Sequence, residues 1–207
     1  MTVRIHSARR ADVEQLRSIC IRTGDAGADA SGKEDAPELL PAIFLEPYLV
    51  FAPDCAWVAE DGQGIFGYAV GVADSVAFGK WAERVWWPDL RGTYPEPDTD
   101  KAGWHGSDWL RHRLHHPPEA LAAPLSRWPA HGHIDLLPRG HGTGVAELLM
   151  KRMMHSVWKQ GARGIHLGVA ASNARALRFY EKLGFEPVEF TPEPETVCVV
   201  RALTGEQ

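Results

Sequence analysis

The chain has 207 residues, 44% hydrophobic and 24% charged, which suits a folded globular unit and excludes intrinsic disorder or a fibrous repeat as its main character. A formal charge of −5 argues against affinity built on polyanions, so no nucleic acid partner is expected. No window has the apolar length of a membrane span or signal-peptide core, so a cytoplasmic chain without membrane contact is expected.

Residues 3–8 alternate as a short strand, and Asp12 is placed as the N-cap of a helix whose apolar stripe is Val13, Leu16, Ile19 and Cys20. The stripe ends at Gly24, and residues 24–36 read as a polar, mobile loop. Helical turns are expected over 37–50. The segments 55–60 and 65–73 then form a β-hairpin about Asp61-Gly-Gln-Gly64, with Gly67 and Gly71 marking a bulge or a close approach of another backbone.

Residues 75–130 depart from this pattern. They hold six of the eight tryptophans (Trp81, Trp86, Trp87, Trp104, Trp109, Trp128), and the spacing predicts helices over 76–86 and 107–115. So many aromatics need a surface to bury against, so the segment is read as an insertion between the third and fourth strands of one domain spanning 1–207. A strand over 133–137, a Gly-rich loop over 138–143, a helix over 144–159 ended by Gly161, a strand over 165–169 and a helix over 173–183 follow. Two last strands, 186–190 and 196–202, flank a proline-bearing turn at 191–194. Cys20, Cys55 and Cys198 have no CxxC spacing and read as buried thiols of a reducing compartment.

Chemistry concentrates in Leu136-Leu-Pro-Arg-Gly-His-Gly-Thr-Gly-Val-Ala-Glu-Leu-Leu149. Three glycines in five residues between a strand and a helix make an anion cradle of free N–H groups at a helix N-terminus. The Gly-Lys-Ser/Thr of a P-loop is absent, and Val145 stands where a dinucleotide fingerprint needs its third glycine, so nucleotide hydrolysis and dinucleotide binding both drop.

One strand later, Asn173-Ala-Arg-Ala-Leu-Arg-Phe-Tyr-Glu-Lys-Leu-Gly-Phe185 resembles the N-x-x-A-x-x-F-Y-x-K-x-G-F signature of the GCN5-related N-acetyltransferases, the GNAT superfamily. The glycine loop then resembles that family's pyrophosphate loop, Q/R-x-x-G-x-G/A. Arg139-x-x-Gly142-x-Gly144 fits it literally. His141-x-x-Gly144-x-Ala146 also satisfies the family's spacing to Pro138 and to Leu149-Met150, and is preferred, with His141 departing from Gln or Arg. Residues 131–190, through His133-Ile-Asp-Leu-Leu-Pro138 and Phe179-Tyr-Glu-Lys-Leu-Gly184, further resemble bacterial acetyltransferases similar to the C-terminal acetyltransferase-like domain of animal O-GlcNAc hydrolase.

The resemblance implies an α/β GNAT fold, a mixed and mainly antiparallel sheet flanked by helices, using acetyl-CoA as cosubstrate to acetylate a small-molecule or peptide amine, as a monomer or homodimer. It implies cofactor contacts from the backbones of Leu136 and Leu137, from His141, Gly142, Thr143, Gly144, Val145 and Ala146, and from Asn173 and Tyr180. Tyr180 is the implied acid that protonates the leaving thiolate. His133, Asp135 and Leu137 share one strand face, so Asp135 ranks first as base, His133 second and Glu60, at the end of an earlier strand, third. His112, His115 and His116 have helical spacing with His105 near, but no cysteine or clustered carboxylate joins them in sequence, and no metal is expected.

Overall fold

The apolar run Gly64–Val72 forms strand β3, interior to a seven-stranded sheet in the computed structural model, which describes residues 3–190 and 195–205. The strand order is β1 (Arg4–Ser7), β2 (Trp57–Asp61), β3, β4 (Ala130–Leu136), β5 (Gly164–Ala170), β7 (Thr196–Ala202), β6 (Glu186–Pro187). Among the described residues β4 and β5 are the one parallel pair, and every other neighbouring pair is antiparallel.

β3 is buried from Ile65 onward because both faces are covered, which is why it lacks alternation. Helices α1 (Val13–Thr23), α2 (Leu39–Phe44) and α3 (Glu46–Phe51) lie on one side, where α1 and α3 pack on β3. On the other side lies α7 (Val145–Lys159), which buries Leu149, Met150, Met153 and Val157 as its spacing requires. Gly71 and Gly132 face each other across β3 and β4. A Cβ on Gly71 would stand 2.5 Å from Met153 Sδ, and one on Gly132 2.3 Å from the Val70 carbonyl, so this glycine pair lets α7 settle directly on the sheet.

Several expectations are refined. A helical turn at Arg10–Asp12 precedes α1, and Asp12 closes that turn by accepting from the Arg9 N–H at 2.8 Å, so it does not cap α1. The segment 24–36 is tied down: Asp35 accepts from the Ser107 N–H and from Arg111 Nη2, both at 2.6 Å, while the Ser107 hydroxyl accepts from the Ala36 N–H. The guanidinium holds the Asp35 carboxyl well below its ordinary range. A register shift at Ala59/Glu60 supplies the bulge in the β2–β3 hairpin. β6 is shorter than expected, and the turn at 191–194 lies outside the described residues.

Between β3 and β4 the chain forms α4 (Ser75–Trp81), a wider π turn (Ala82–Trp86), α5 (Trp87–Thr93) and α6 (Asp108–His115). Trp81, Trp86 and Trp87 pack on the core, whereas Trp109 is exposed and Trp104 packs within the segment on His112. Trp86 donates its N–H to the Ala42 carbonyl at 2.8 Å and stacks on Trp81, which meets Phe51. Cys20, Cys55 and Cys198 are buried free thiols. Among the described residues no helix is long and apolar enough to cross a membrane.

Candidate active site

β4 and β5 touch only at Ala130/Ile165 and His131/His166, then separate. The cause is divided pairing: β4 stays registered with β3 up to Leu136, while β5 follows β7 along Gly164–Ala170. A gap opens between them. The Leu137 N–H donates to the Phe66 carbonyl at 2.8 Å, which fixes the alternation and turns the backbone groups of Ile134 and Leu136 toward the gap. Leu137 thereby departs from expectation, since its carbonyl also accepts from the Gly140 N–H and both its backbone groups are committed.

At the wide end lies the glycine loop. Gly142 (φ 74°) and Gly144 (φ 81°) take the left-handed conformation, and a Cβ on either would point into open space. Gly144 precedes the first turn of α7, whose N–H groups have no intrahelical partner, and the Thr143 hydroxyl braces the loop by donating to the Gly140 carbonyl at 2.8 Å. Arg139 turns away. Its guanidinium donates to the Gly64 carbonyl, approaches Asp61 at 3.3 Å and lies over the Phe66 ring. His141 stays beside the gap, where Arg175 Nη1 donates to its Nδ1 at 2.9 Å, which leaves Nε2–H to donate to the Leu136 carbonyl at 3.2 Å. Burial first, and Arg175 second, push the His141 pKa down.

Arg175 belongs to α8 (Ala174–Lys182), which starts where the Asn173 side chain accepts from the Ala176 N–H at 3.0 Å. Asn173 is thus a helix cap that also borders the loop segment at Gly27. Tyr180, on the buried face of α8, packs against Phe179 and Phe185. Its pKa is pushed up by burial and then by the charge of Asp135. Asp135 is half-buried, accepts from the Tyr68 hydroxyl and lies near Thr23, whose own hydroxyl donates to the Ile19 carbonyl at 2.8 Å; desolvation raises the Asp135 pKa.

At the closed end of the gap is a cavity of about 320 Å³, walled by Phe44, Tyr48, Trp87, Trp109, His133 and Cys198, with His131 and His166 at its floor. His133 Nε2 is 3.1 Å from the Tyr48 hydroxyl, and burial pushes its pKa down to about 4. The Ser75 hydroxyl donates to the Pro129 carbonyl, so His131 must donate Nδ1–H to Ser75 and keeps Nε2 as an acceptor. His166 likewise donates Nδ1–H to the Trp128 carbonyl at 2.6 Å. Burial lowers the pKa of both rings. Asp135 does not line the cavity, and Glu60 lies elsewhere, paired with Arg4 and His6 at the β1–β2 edge, where Arg4 lowers its pKa.

The family model described as Acetyltransferase (GNAT) family matches residues 27–185. The chain belongs to the GNAT acetyltransferase family. It is similar to the protein SsHAT, whose crystal structure superposes with a TM-score of 0.89 at 31% identity over 98% of both chains. It is also 27% identical over 191 residues to protein O-GlcNAcase of Rattus norvegicus, covering 91% of this chain and 21% of that protein, so the chain spans about a fifth of that curated relative. A GNAT superfamily phosphinothricin acetyltransferase from Sinorhizobium meliloti, solved with acetyl-CoA, superposes with a TM-score of 0.55 at 14% identity over 98% of this chain and 89% of that one, a likeness of fold.

Within this GNAT frame, sequence reasoning missed Tyr48, Tyr68, His131, His166 and Arg175. Arg175 stood inside the matched signature at a position the pattern leaves free, and only the fold carries it to His141. The three cavity histidines give a stability signature. Their rings are neutral in the fold, whereas unfolded imidazoles take up protons near 6.5. The unfolded chain therefore binds more protons as pH falls from 6.5 to about 4, and stability drops across that window. Asp135, with its raised pKa, works in the opposite sense at the acid end of the window. Thermal unfolding at pH 7.5, 6 and 5 should show a falling Tm, with a shallower fall in His133→Phe; a Tm constant to pH 5 contradicts neutral burial.

Proposed function

We propose that the chain transfers an acetyl group from acetyl-CoA directly to an amine held in the histidine-walled cavity. The observation that carries this reading is the single gap between β4 and β5, with an anion cradle at one end and a cavity of neutral bases at the other. The loop N–H groups from Gly142 to Ala146, with Arg175 through His141, hold the diphosphate. The gap-facing backbone of Ile134 and the N–H of Leu136, whose carbonyl is taken by His141, line the pantetheine arm as an added strand does. Asn173 fixes the start of α8 and with it the position of Tyr180.

The acceptor amine arrives protonated and attacks only as the free base. His133 lines the cavity and takes that proton on Nδ1 while donating Nε2–H to Tyr48. Asp135, closed by Tyr68 and Thr23, orients its neighbours. The free amine attacks the thioester carbon, the tetrahedral intermediate collapses with cleavage of the C–S bond, Tyr180 protonates the leaving thiolate, and the surplus proton on the nitrogen passes to the phenolate, which leaves the neutral amide and restores Tyr180. Cys198 reaches the cavity wall, but burial pushes its thiol up to about 11, so an acetyl-cysteine intermediate is disfavoured.

A second reading rests on the same closure of Asp135: a binding module that retains acetyl-CoA without turnover. Calorimetry with acetyl-CoA, followed by free-thiol detection across amines, peptides and amino sugars, separates the two. Micromolar binding with amine-dependent thiol release is expected. Binding without release favours the module, and no binding at high micromolar concentration ends both readings.

A further inference from the structure

The part of the chain that the family signature does not reach contains a second constellation. α6 ends with His112 and His116 one turn apart, their ring centroids 4.6 Å from each other. The turn after α5 brings Glu96 to the same place, where its carboxylate contacts His116 Nε2. The carboxylate that the sequence lacks beside these histidines is therefore supplied by the fold, from twenty residues upstream of His116. One ligand atom from each of Glu96, His112 and His116 lies within 4.8 Å of the others.

We propose that Glu96, His112 and His116 bind a divalent transition ion, Zn²⁺ by the chemistry of the set, and so clamp the roof of the acceptor cavity. Two imidazoles and one carboxylate suit Zn²⁺, leaving a fourth position for water. Tetrahedral bonds of about 2.0–2.1 Å place ligand atoms roughly 3.3 Å apart, so from separations within 4.8 Å side-chain torsions need close the group by at most about 1.5 Å. The hydrogen bond from His116 to Glu96 already holds one edge of that triangle.

The ion pair alone does not account for the arrangement. The hydrogen bond from His116 to Glu96 does not engage His112, whose ring is nonetheless held with its centroid 4.6 Å from that of His116. Trp104 packs on His112 at 4.9 Å and fixes the ring, while Lys101 lies over Trp104 and places a positive charge near the site. His115 points elsewhere, donating Nε2–H to the Tyr94 carbonyl at 2.9 Å, and His105 approaches Asp108 and the Gly103 carbonyl. Neither is a ligand.

The placement gives the site its consequence. α6 also carries Trp109 and Arg113 into the wall of the cavity, so an ion joining its C-terminal end to the turn at Glu96 fixes that wall. This inference does not depend on turnover. The test is titration of the whole tag-free chain with ZnCl₂ by calorimetry, together with the visible spectrum of the Co²⁺ form. One equivalent is expected to bind with a Kd on the order of 10 µM, with affinity reduced about tenfold or more in Glu96→Gln and in His116→Gln. His105→Gln should bind as the parent does, and ZnCl₂ should raise the Tm of the parent but not of His116→Gln. A Kd weaker than about 1 mM, affinity unchanged in both ligand variants, or affinity lost in His105→Gln overturns the proposal. Both ligand variants alter exposed side chains, and an unchanged Tm without metal shows that they fold.

Discussion

Replacing Tyr180 with phenylalanine should lower kcat by about a hundredfold or more while leaving acetyl-CoA affinity within about twofold. The hydroxyl is the only atom removed, and among the described residues it makes no hydrogen bond, so the fold loses no internal partner. The ring keeps its contacts with Phe179 and Phe185 at 5.3 and 5.5 Å. On the proposed mechanism, what is lost is the proton source for the leaving thiolate. Burial and the nearby charge of Asp135 push the phenol pKa up, so Tyr180 stays protonated until a thiolate forms next to it. The role has its own signature: with a thioester whose thiol is more acidic than that of CoA, the deficit of Tyr180→Phe should shrink. Equal losses in kcat and in cofactor affinity, or a deficit indifferent to the leaving thiol, count against Tyr180 as the acid. Calorimetry for the cofactor and single-turnover thiol release with a reactive amine supply both readouts.

What could be read from the chain alone follows the distance over which each feature is determined. The signature from Asn173 to Phe185 is local: the cap, the buried face and the terminating glycine lie within one helix, so its pattern carries its structure. The alternation of His133, Asp135 and Leu137 is likewise a property of one strand. The choice between His133 and Asp135 is different, because it depends on which helix covers each residue. Thr23 of α1 and Tyr68 of β3 close over Asp135, while Tyr48 of α3 leaves His133 at a cavity wall. Nothing near position 133 in the sequence records this. Leu137 shows the same limit at finer scale, since its N–H faces β3 or β5 according to a register set by Phe66. His131 and His166 become neighbours only through the short parallel contact of β4 with β5, and Glu96 joins His112 and His116 only across a turn. Groups assembled from distant segments are the ones that sequence spacing does not expose, and here they include most of the histidine-walled cavity.

The cofactor loop offers the second large effect, and a control built into the same helix. Gly144, just before α7, and Gly161, just after it, both take positive φ (81° and 104°), and a Cβ on either meets nothing within 4 Å. Alanine at either position therefore carries the same left-handed penalty, about 1–2 kcal/mol, and should lower Tm by roughly 2–4 °C for each kcal/mol. The two differ in what lies outside. At Gly144 the new methyl projects into the open space before the first turn of α7, where the proposed diphosphate site lies, and so would hold the diphosphate away from the N–H groups of that turn. Gly144→Ala should weaken acetyl-CoA binding by about tenfold or more, the cost of roughly one charge-assisted hydrogen bond. Gly161→Ala should lose comparable stability with unchanged affinity. Gly140→Ala should do the converse of Gly144→Ala, because its Cβ would stand 2.9 Å from both Leu136 and Phe66 side chains and so strains the packing under the loop. If calorimetry finds Gly144→Ala and Gly161→Ala equally impaired in acetyl-CoA binding, the loop is not the phosphate cradle and the loss is a matter of α7 stability alone.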